Sequence, residues 1–370
     1  MNSEPLPAPT SQTEPCVPHE PLLELFFRFL RFGCLAWGGP VAQIGMIRQE
    51  LVEEERWISR EQFNRVLAVY QVLPGPEAHE LCVYFGMLAR GRLGGLLAGA
   101  GFMLPGLVLV LVLSWAYLRF GLQSAAVAPI FGAMQVAVAA LIVRAVFRIG
   151  RHALGKRWLI VIALMSAAAT LALGSADSLL MQTQGSRELQ QPSAIGLLAA
   201  GLKAGLLTFG GAYTAIPLLQ HDAVLSSHAW MSHAQFLDGV ALSGLLPAPL
   251  IIFATFVGYV GGGLVGALLM TAGVFVPAFA FTLVGHRFFE RLLSTPRVRV
   301  VLDGVMAAVV GLIAATAVGI VRSAVTDVDA ALLFGLVLAV LFATSSRWVI
   351  PAVIAGSAVW GAIGAFPLSL

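Results

Sequence analysis

The stretches LAWGGPVAQIG (35–45) and LTFGGAYTAIP (207–217) carry one pattern about 172 residues apart. The match continues: WISREQF (57–63) pairs with WMSHAQF (230–236), LPGP (73–76) with LPAP (246–249), and GFMLP (101–105) with GVFVP (273–277). Landmarks in one order at a near-constant offset predict two copies of one folding unit. The units are 22–175 and 194–370, joined by a polar linker at 176–193. Residues 1–21 are Pro-rich, lack Lys and Arg, and have no apolar h-region, so they read as a disordered tail and not a signal peptide.

Composition decides what the unit is made of. The chain is 58% hydrophobic and 11% charged, with a mean hydropathy of +0.88, against about 25% charge in soluble domains. In hydrocarbon only helices and closed barrels satisfy their own backbone, and the long apolar runs select helices. The fold class is therefore an all-α integral membrane protein. A net charge of +3 gives no reason to invoke nucleic acid, and Cys16, Cys34 and Cys82 form no disulfide framework.

Each unit opens with two interrupted apolar segments, in the first copy 22–54, broken at Gly38-Gly39-Pro40, and 62–90, broken at Pro74-Gly75-Pro76. Arms of roughly 12–16 residues reach about 18–24 Å, short of the ~30 Å hydrocarbon core. They fit either re-entrant hairpins turning back at mid-depth or interrupted spans. Continuous spans follow at 94–118, 125–147 and 157–175, then at 264–285, 301–321 and 328–344 in the second copy, with an extra C-terminal span at 348–366. Lys and Arg favour the cytoplasmic side. Residues 144–157 hold five basic residues and no acid, while their mates at 316–329 hold Arg322 against Asp327 and Asp329. The bias reverses for Arg119 against the basic stretch 286–299. The two copies are thus expected to be inverted, with Arg148 and Arg297 on the cytoplasmic side and Arg119 and Asp327 outside.

Inverted repeats with broken helices at their centre are a transporter pattern. Irregular backbone at membrane depth is tolerated where it is buried in protein or lines a wet cavity. Four breaks, at Gly38-Gly39-Pro40, Pro74-Gly75-Pro76, Gly210-Gly211 and Pro247-Ala248-Pro249, would aim helix N-termini at one region, which suits a small oxyanion. Kinks made only for packing are the plainer reading. Gln43, Tyr213 and Thr214 could donate to such an anion. Arg31 and Lys203, each seven residues before its Gly-Gly, could form a basic pair on the two approaches, or snorkel to headgroups. Glu77, His79 and Glu80 could carry protons or gate the site, or simply cap a helix. No metal-ligand spacing is present: HELCV is not HExxH. A membrane-embedded enzyme would need a nucleophile with its base, and Ser243 has no such partner in sequence.

The motifs WGGPVAQIGMIRQE, VLPGPEAHELCVYFGMLARGRLGG, GFMLPG and TFGGAYTAIPLLQHD resemble the chromate ion transporter family in its two-domain, long-chain form. The resemblance covers 22–366, with Gln43 standing where many relatives have His. It implies an inner-membrane, multi-pass protein with a cytoplasmic N-terminus that exports chromate. It also implies chromate resistance, a link to the proton-motive force, sulfate as a competitor, and no cofactor. Related oxyanion exchange and an anion channel are the alternatives, and a homodimer is left open.

Overall fold

The computed structural model describes residues 17–120, 127–183, 189–209, 212–226, 228–285, 295–344 and 346–365, and among these there is no strand. Helix α1 (Leu22–Cys34) ends at the first break, and α2 (Pro40–Arg48) starts on Pro40 and runs into a π-helical turn, Gln49–Glu54. The chain doubles back here: Arg28 on α1 reaches Glu50 and Glu55, and Arg31 pairs with Glu50. Helix α3 (Arg60–Tyr70) begins where the Ser59 hydroxyl accepts from the Gln62 N–H at 3.1 Å. It ends before Pro74-Gly75-Pro76.

Helix α4 (Glu77–Arg119) is two rods joined by a two-residue turn at Arg90 and Gly91, where Gly91 has φ 61° and ψ −154°. Residues eight apart in a straight helix are separated by about 12 Å. Here Gly86 and Gly94 touch backbone to backbone, and neither has room for a Cβ. Arms 77–89 and 92–119 are therefore antiparallel neighbours, pressed together through small residues as in membrane helix pairs. The left-handed turn residue is the one position in it that only glycine adopts without strain.

The same devices recur about 172 residues on. Helix α7 (Ala194–Leu207) leads to a 3-10 turn (Ala212–Thr214), α8 (Ala215–Gln220) and a second π-helical turn (His221–Leu225). Lys203 pairs with Asp222 at 2.7 Å across this fold-back, mirroring Arg31 and Glu50. Helix α9 (His233–Gly244) opens with a capping box from Ser232 and Gln235. After the fourth break comes a 3-10 turn (Leu250–Ile252) and α10 (Phe253–Leu283), which doubles back at Gly262-Gly263 with Gly263 at φ 59° and ψ −148°. Gly258 meets Gly266 as Gly86 meets Gly94.

The remaining helices are α5 (Ala128–Ala153), α6 (Arg157–Thr183), α11 (Pro296–Ala324), α12 (Val328–Ala343) and α13 (Val349–Ala365). Among the described residues four stretches are long and apolar enough to cross a membrane: Glu77–Arg119, Ala128–Arg151, Leu250–Leu283 and Val300–Ala324. Within the first and third, the fold-back leaves 92–119 and 264–283 as the arms of spanning length. Helices α6 and α11 run parallel: Gly304 lies by Trp158, the Ser166 hydroxyl donates to Ala308 O at 2.7 Å, and Gly311 presses on Ala163. Helix α13 lies on α5, with Gly361 packed on Pro129 and Ile130.

The structure adds three details at the edges of these stretches. The linker expected at 176–193 is helical as far as Thr183, because an apolar helix continues through a short polar stretch when its backbone bonds remain available. The tail expected at 1–21 is ordered at its end, where Glu20 pairs with Arg28 and its carbonyl accepts from Arg90 at 2.9 Å; residues 1–16 lie outside the described residues. The span expected at 125–147 extends to Ala153, so Arg148 and Arg151 are helical along with Arg144.

Candidate functional site

Two adjoining chambers of about 270 and 300 Å³ lie beside the breaks. They share Val41, Ala145, Arg148 and Tyr213 in their walls. The first break supplies Gly38 and Pro40, the second Glu77, and the third Tyr213. Beyond them a slit of about 20 Å³ is lined by Gly38, Gly39, Tyr213, Ser243, Ala248 and Leu250 among others. Such a volume admits about one water. Described residues at or beside each break thus line adjoining cavities, wider beside Arg148 and narrow at the largely apolar slit.

The backbone groups freed by the breaks largely satisfy one another. Gln43 donates from its Nε2 to Ala36 O at 2.9 Å and to Ala248 O at 3.1 Å. The Gly75 N–H donates to Thr208 O at 2.8 Å. The first break is therefore tied to the fourth through Gln43 and Ala248, and the second to the approach of the third through Gly75 and Thr208, both across the two copies. In this structure the amide hydrogens of Gln43 are engaged by these two carbonyls. Replacing Gln43 by Leu should leave two buried carbonyls unpaired, at about 1–3 kcal/mol each. We expect the thermal midpoint of the detergent-purified variant to fall by several degrees. An unchanged midpoint would mean the tie carries no stability.

The remaining candidates divide. Tyr213 lines both chambers and the slit. Thr214 is fully buried and lines none of them. Glu77 faces the chamber that Arg148 and Gln71 also line. His79 turns away, with its ring edge-on to Phe275 and Phe279 at 5.0 and 4.7 Å. Glu80 is fully buried beside Gly75 and Ala278, and its carboxyl makes no side-chain hydrogen bond. Within the fourth break Ala248 reaches the slit between Pro247 and Pro249, and Pro74 and Pro76 frame the second break without lining a chamber. Gly210 and Gly211 lie outside the described residues. Arg31 and Lys203 are not brought to the chambers: each is half-exposed and closed into its ion pair with Glu50 or Asp222. The described residues contain no cluster of His, Cys, Asp and Glu that could hold a metal.

Reading charges as loop markers missed Arg144 and Arg148. They are four apart on α5, hence one above the other on a single helix face. Both line the second chamber, and Arg144 also donates to Thr344 O at 3.2 Å. The i, i+4 spacing was the available signal. Facing them, α2 begins at Pro40 after Gly39, with no side-chain cap on its N-terminus, and its first-turn residues Val41 and Ala42 line the same chamber. Two guanidinium groups and an uncapped helix start make an anion-binding geometry. The loop after α12 closes one wall: Ser346 lines it, the Arg347 backbone rests on Gly38, and Trp348 packs on Trp37 at 5.1 Å.

Comparison with known proteins adds the following. The sequence profile of a family described as "Chromate transporter" matches residues 23–183 and 195–362. A chromate transport protein of Pseudomonas aeruginosa is 50% identical over 357 residues, covering 86% of this chain and 85% of its own. One from Cupriavidus metallidurans is 30% identical over 384 residues, 94% of each chain. A probable chromate transport protein of Synechococcus elongatus is 31% identical over 340 residues, 83% of this chain and 86% of its own. No solved structure matches.

Proposed function

From the premise that this chain belongs to the chromate transporter family, whose members are membrane transport proteins and not enzymes, we propose that it carries chromate out of the cytoplasm across the inner membrane. The observation that carries this reading is the chamber in which Arg144, Arg148 and the uncapped start of α2 face one another. Chromate is a tetrahedral dianion near neutral pH. Planar guanidinium groups bind such oxyanions through paired N–H donors, and the helix start adds aligned N–H groups. The Tyr213 hydroxyl supplies a neutral donor. Glu77, in the adjoining chamber that Arg148 also lines, repels the dianion when ionised, so a proton on Glu77 would couple loading to the proton-motive force.

The wide end of the chamber lies towards the C-terminal end of α5, where Arg151, Lys156 and Arg157 gather. The positive-inside bias makes that end cytoplasmic, so this conformation is open inward with the slit shut. The recurrent turns and ion pairs support two copies of inverted topology rocking about the breaks. Energetics favour efflux. One charge across 100 mV is worth about 2.3 kcal/mol, so a dianion is driven outward by roughly 4.6 kcal/mol per 100 mV. At about 1.4 kcal/mol per decade, that sustains an outward gradient on the order of a thousandfold.

Inside-out membrane vesicles tests this directly: energised vesicles should accumulate chromate, excess sulfate should reduce the rate, and collapse of the potential should stop it. Cysteines placed at Lys156 and Arg297, on a cysteine-free background, should label from the cytoplasmic side, and those at Arg119 and Asp327 from the other. Accumulation by right-side-out vesicles instead would reverse the direction. Labelling of positions 156 and 327 from one side would remove the inverted repeat.

A further inference from the structure

A second basic cavity lies apart from the chambers, between α3, the Arg90–Gly91 turn of α4 and the end of α10. Its volume is about 670 Å³, and its polar wall is Arg65, Arg92, Gln62, Tyr84 and Thr282, with no acidic residue among the described residues that line it. We propose that it binds the phosphate of an anionic phospholipid.

Three observations carry this. First, the neighbouring arginines are consumed by glutamates: Arg28, Arg31, Arg48 and Arg60 are all in ion pairs. Arg65 and Arg92 make no ion pair or hydrogen bond among the described residues. Two like charges facing one cavity repel, and an anion between them removes that cost. Second, Thr282 is fully buried and its hydroxyl has no partner. Thr208, Thr271 and Thr316 follow the usual habit of bonding back four residues, and Thr282 does not. Third, the fold does not require the set. At the matching places of the second copy stand Asp238 for Arg65, Phe256 for Tyr84 and Leu264 for Arg92, while Val110 matches Thr282.

The cavity holds far more than an inorganic phosphate. Its wall also carries Met87, Leu88 and Val284, and Val284 and the adjacent Leu93 are exposed. A headgroup phosphate could sit between the arginines while the glycerol and upper acyl carbons lie on this apolar rim. Basic pockets between membrane helices bind phospholipid headgroups in this way.

The test is lipid titration of the purified full chain in detergent, read by thermal midpoint and by native mass spectrometry. Dioleoylphosphatidylglycerol should raise the midpoint and remain bound, and dioleoylphosphatidylcholine should do neither. A basic residue near an anionic lipid contributes about 1 kcal/mol, so R65Q/R92Q should bind roughly thirtyfold more weakly, at about 1.4 kcal/mol per decade. Each single variant should lose about fivefold, which keeps the test available if the double variant fails to fold. Arg157→Gln, outside the cavity, should match wild type. Equal lipid binding by wild type and the single variants overturns the proposal, as does an equal effect of the zwitterionic lipid. A midpoint shift produced by inorganic phosphate that then abolishes the lipid's effect assigns the cavity to free phosphate and overturns the lipid assignment.

Discussion

Replacing Arg144 and Arg148 together by glutamine should abolish chromate transport while the protein remains in the membrane at normal abundance. Hydrogen bonds to a charged partner are worth about 1.5–3 kcal/mol each, so each single variant should weaken chromate binding about ten- to a hundredfold. Arg148 is exposed at the mouth and Arg144 lies deeper, bonded to Thr344 O. Arg148→Gln should therefore act mainly on KM, and Arg144→Gln on both KM and the maximal rate, since it also frees the loop after α12. Arg148→Lys should recover part of the loss by charge without the planar fork. Chromate flux in proteoliposomes, with binding by calorimetry, checks both. Wild-type KM in the double variant would falsify the chamber as the site.

A second large effect is expected at the first break. Gly39 has φ 78° and ψ −176°, and Gly38 has φ 88°. Gly39 thus occupies a region that is essentially glycine-only, where a side chain costs about 1–3 kcal/mol. A Cβ on Gly39 would meet only the Ile350 methyl at 3.4 Å, so space for the first carbon is not the obstacle. Gly39→Ala should therefore report the backbone cost alone and reduce transport several-fold. Gly39→Leu adds a branched chain at the slit and should leave less than about a hundredth of the activity, allowing about 3 kcal/mol of combined strain and blockage. Gly45, in α2 with open space around it, serves as the control: Gly45→Ala should transport normally. Near-normal chromate resistance conferred by Gly39→Leu would separate the break from the transport path. The equivalent test at Gly211 concerns a position outside the described residues.

The breaks were legible because Gly-Gly-Pro and Pro-Gly-Pro cannot continue a helix in lipid. The turns at Arg90-Gly91 and Gly262-Gly263 were legible too, since the expected spans begin just after them. Partnership across the copies was not legible. Gln43 lies 205 residues from the Ala248 carbonyl it holds, and no local pattern announces such a contact. Arg144 and Arg148 were hidden by a counting habit, in which charges near a span end are assigned to the loop. Their four-residue spacing pointed to one helical face, yet the depth of that face is set by where α5 ends. Glu77, His79 and Glu80 lie in one turn, and only packing against α10 separates the residue at the chamber from those in the core.

The loop between α12 and α13 closes one wall over Gly38, and α13 matches no span of the first copy. A carrier built from two equal halves would have two mirror-image resting states of the same free energy. Here, on the reading proposed above, the wall that Ser346, Arg347 and Trp348 make would set the two states apart, since it has no mate among the described residues of the first copy. An imbalance of 1.4 kcal/mol is enough to hold the empty carrier ten to one in a single state. On the inward-open reading proposed above, its idle form would then wait with the guanidinium groups accessible from the cytoplasm. Return of the ion from outside would first have to wait for a rare reorientation.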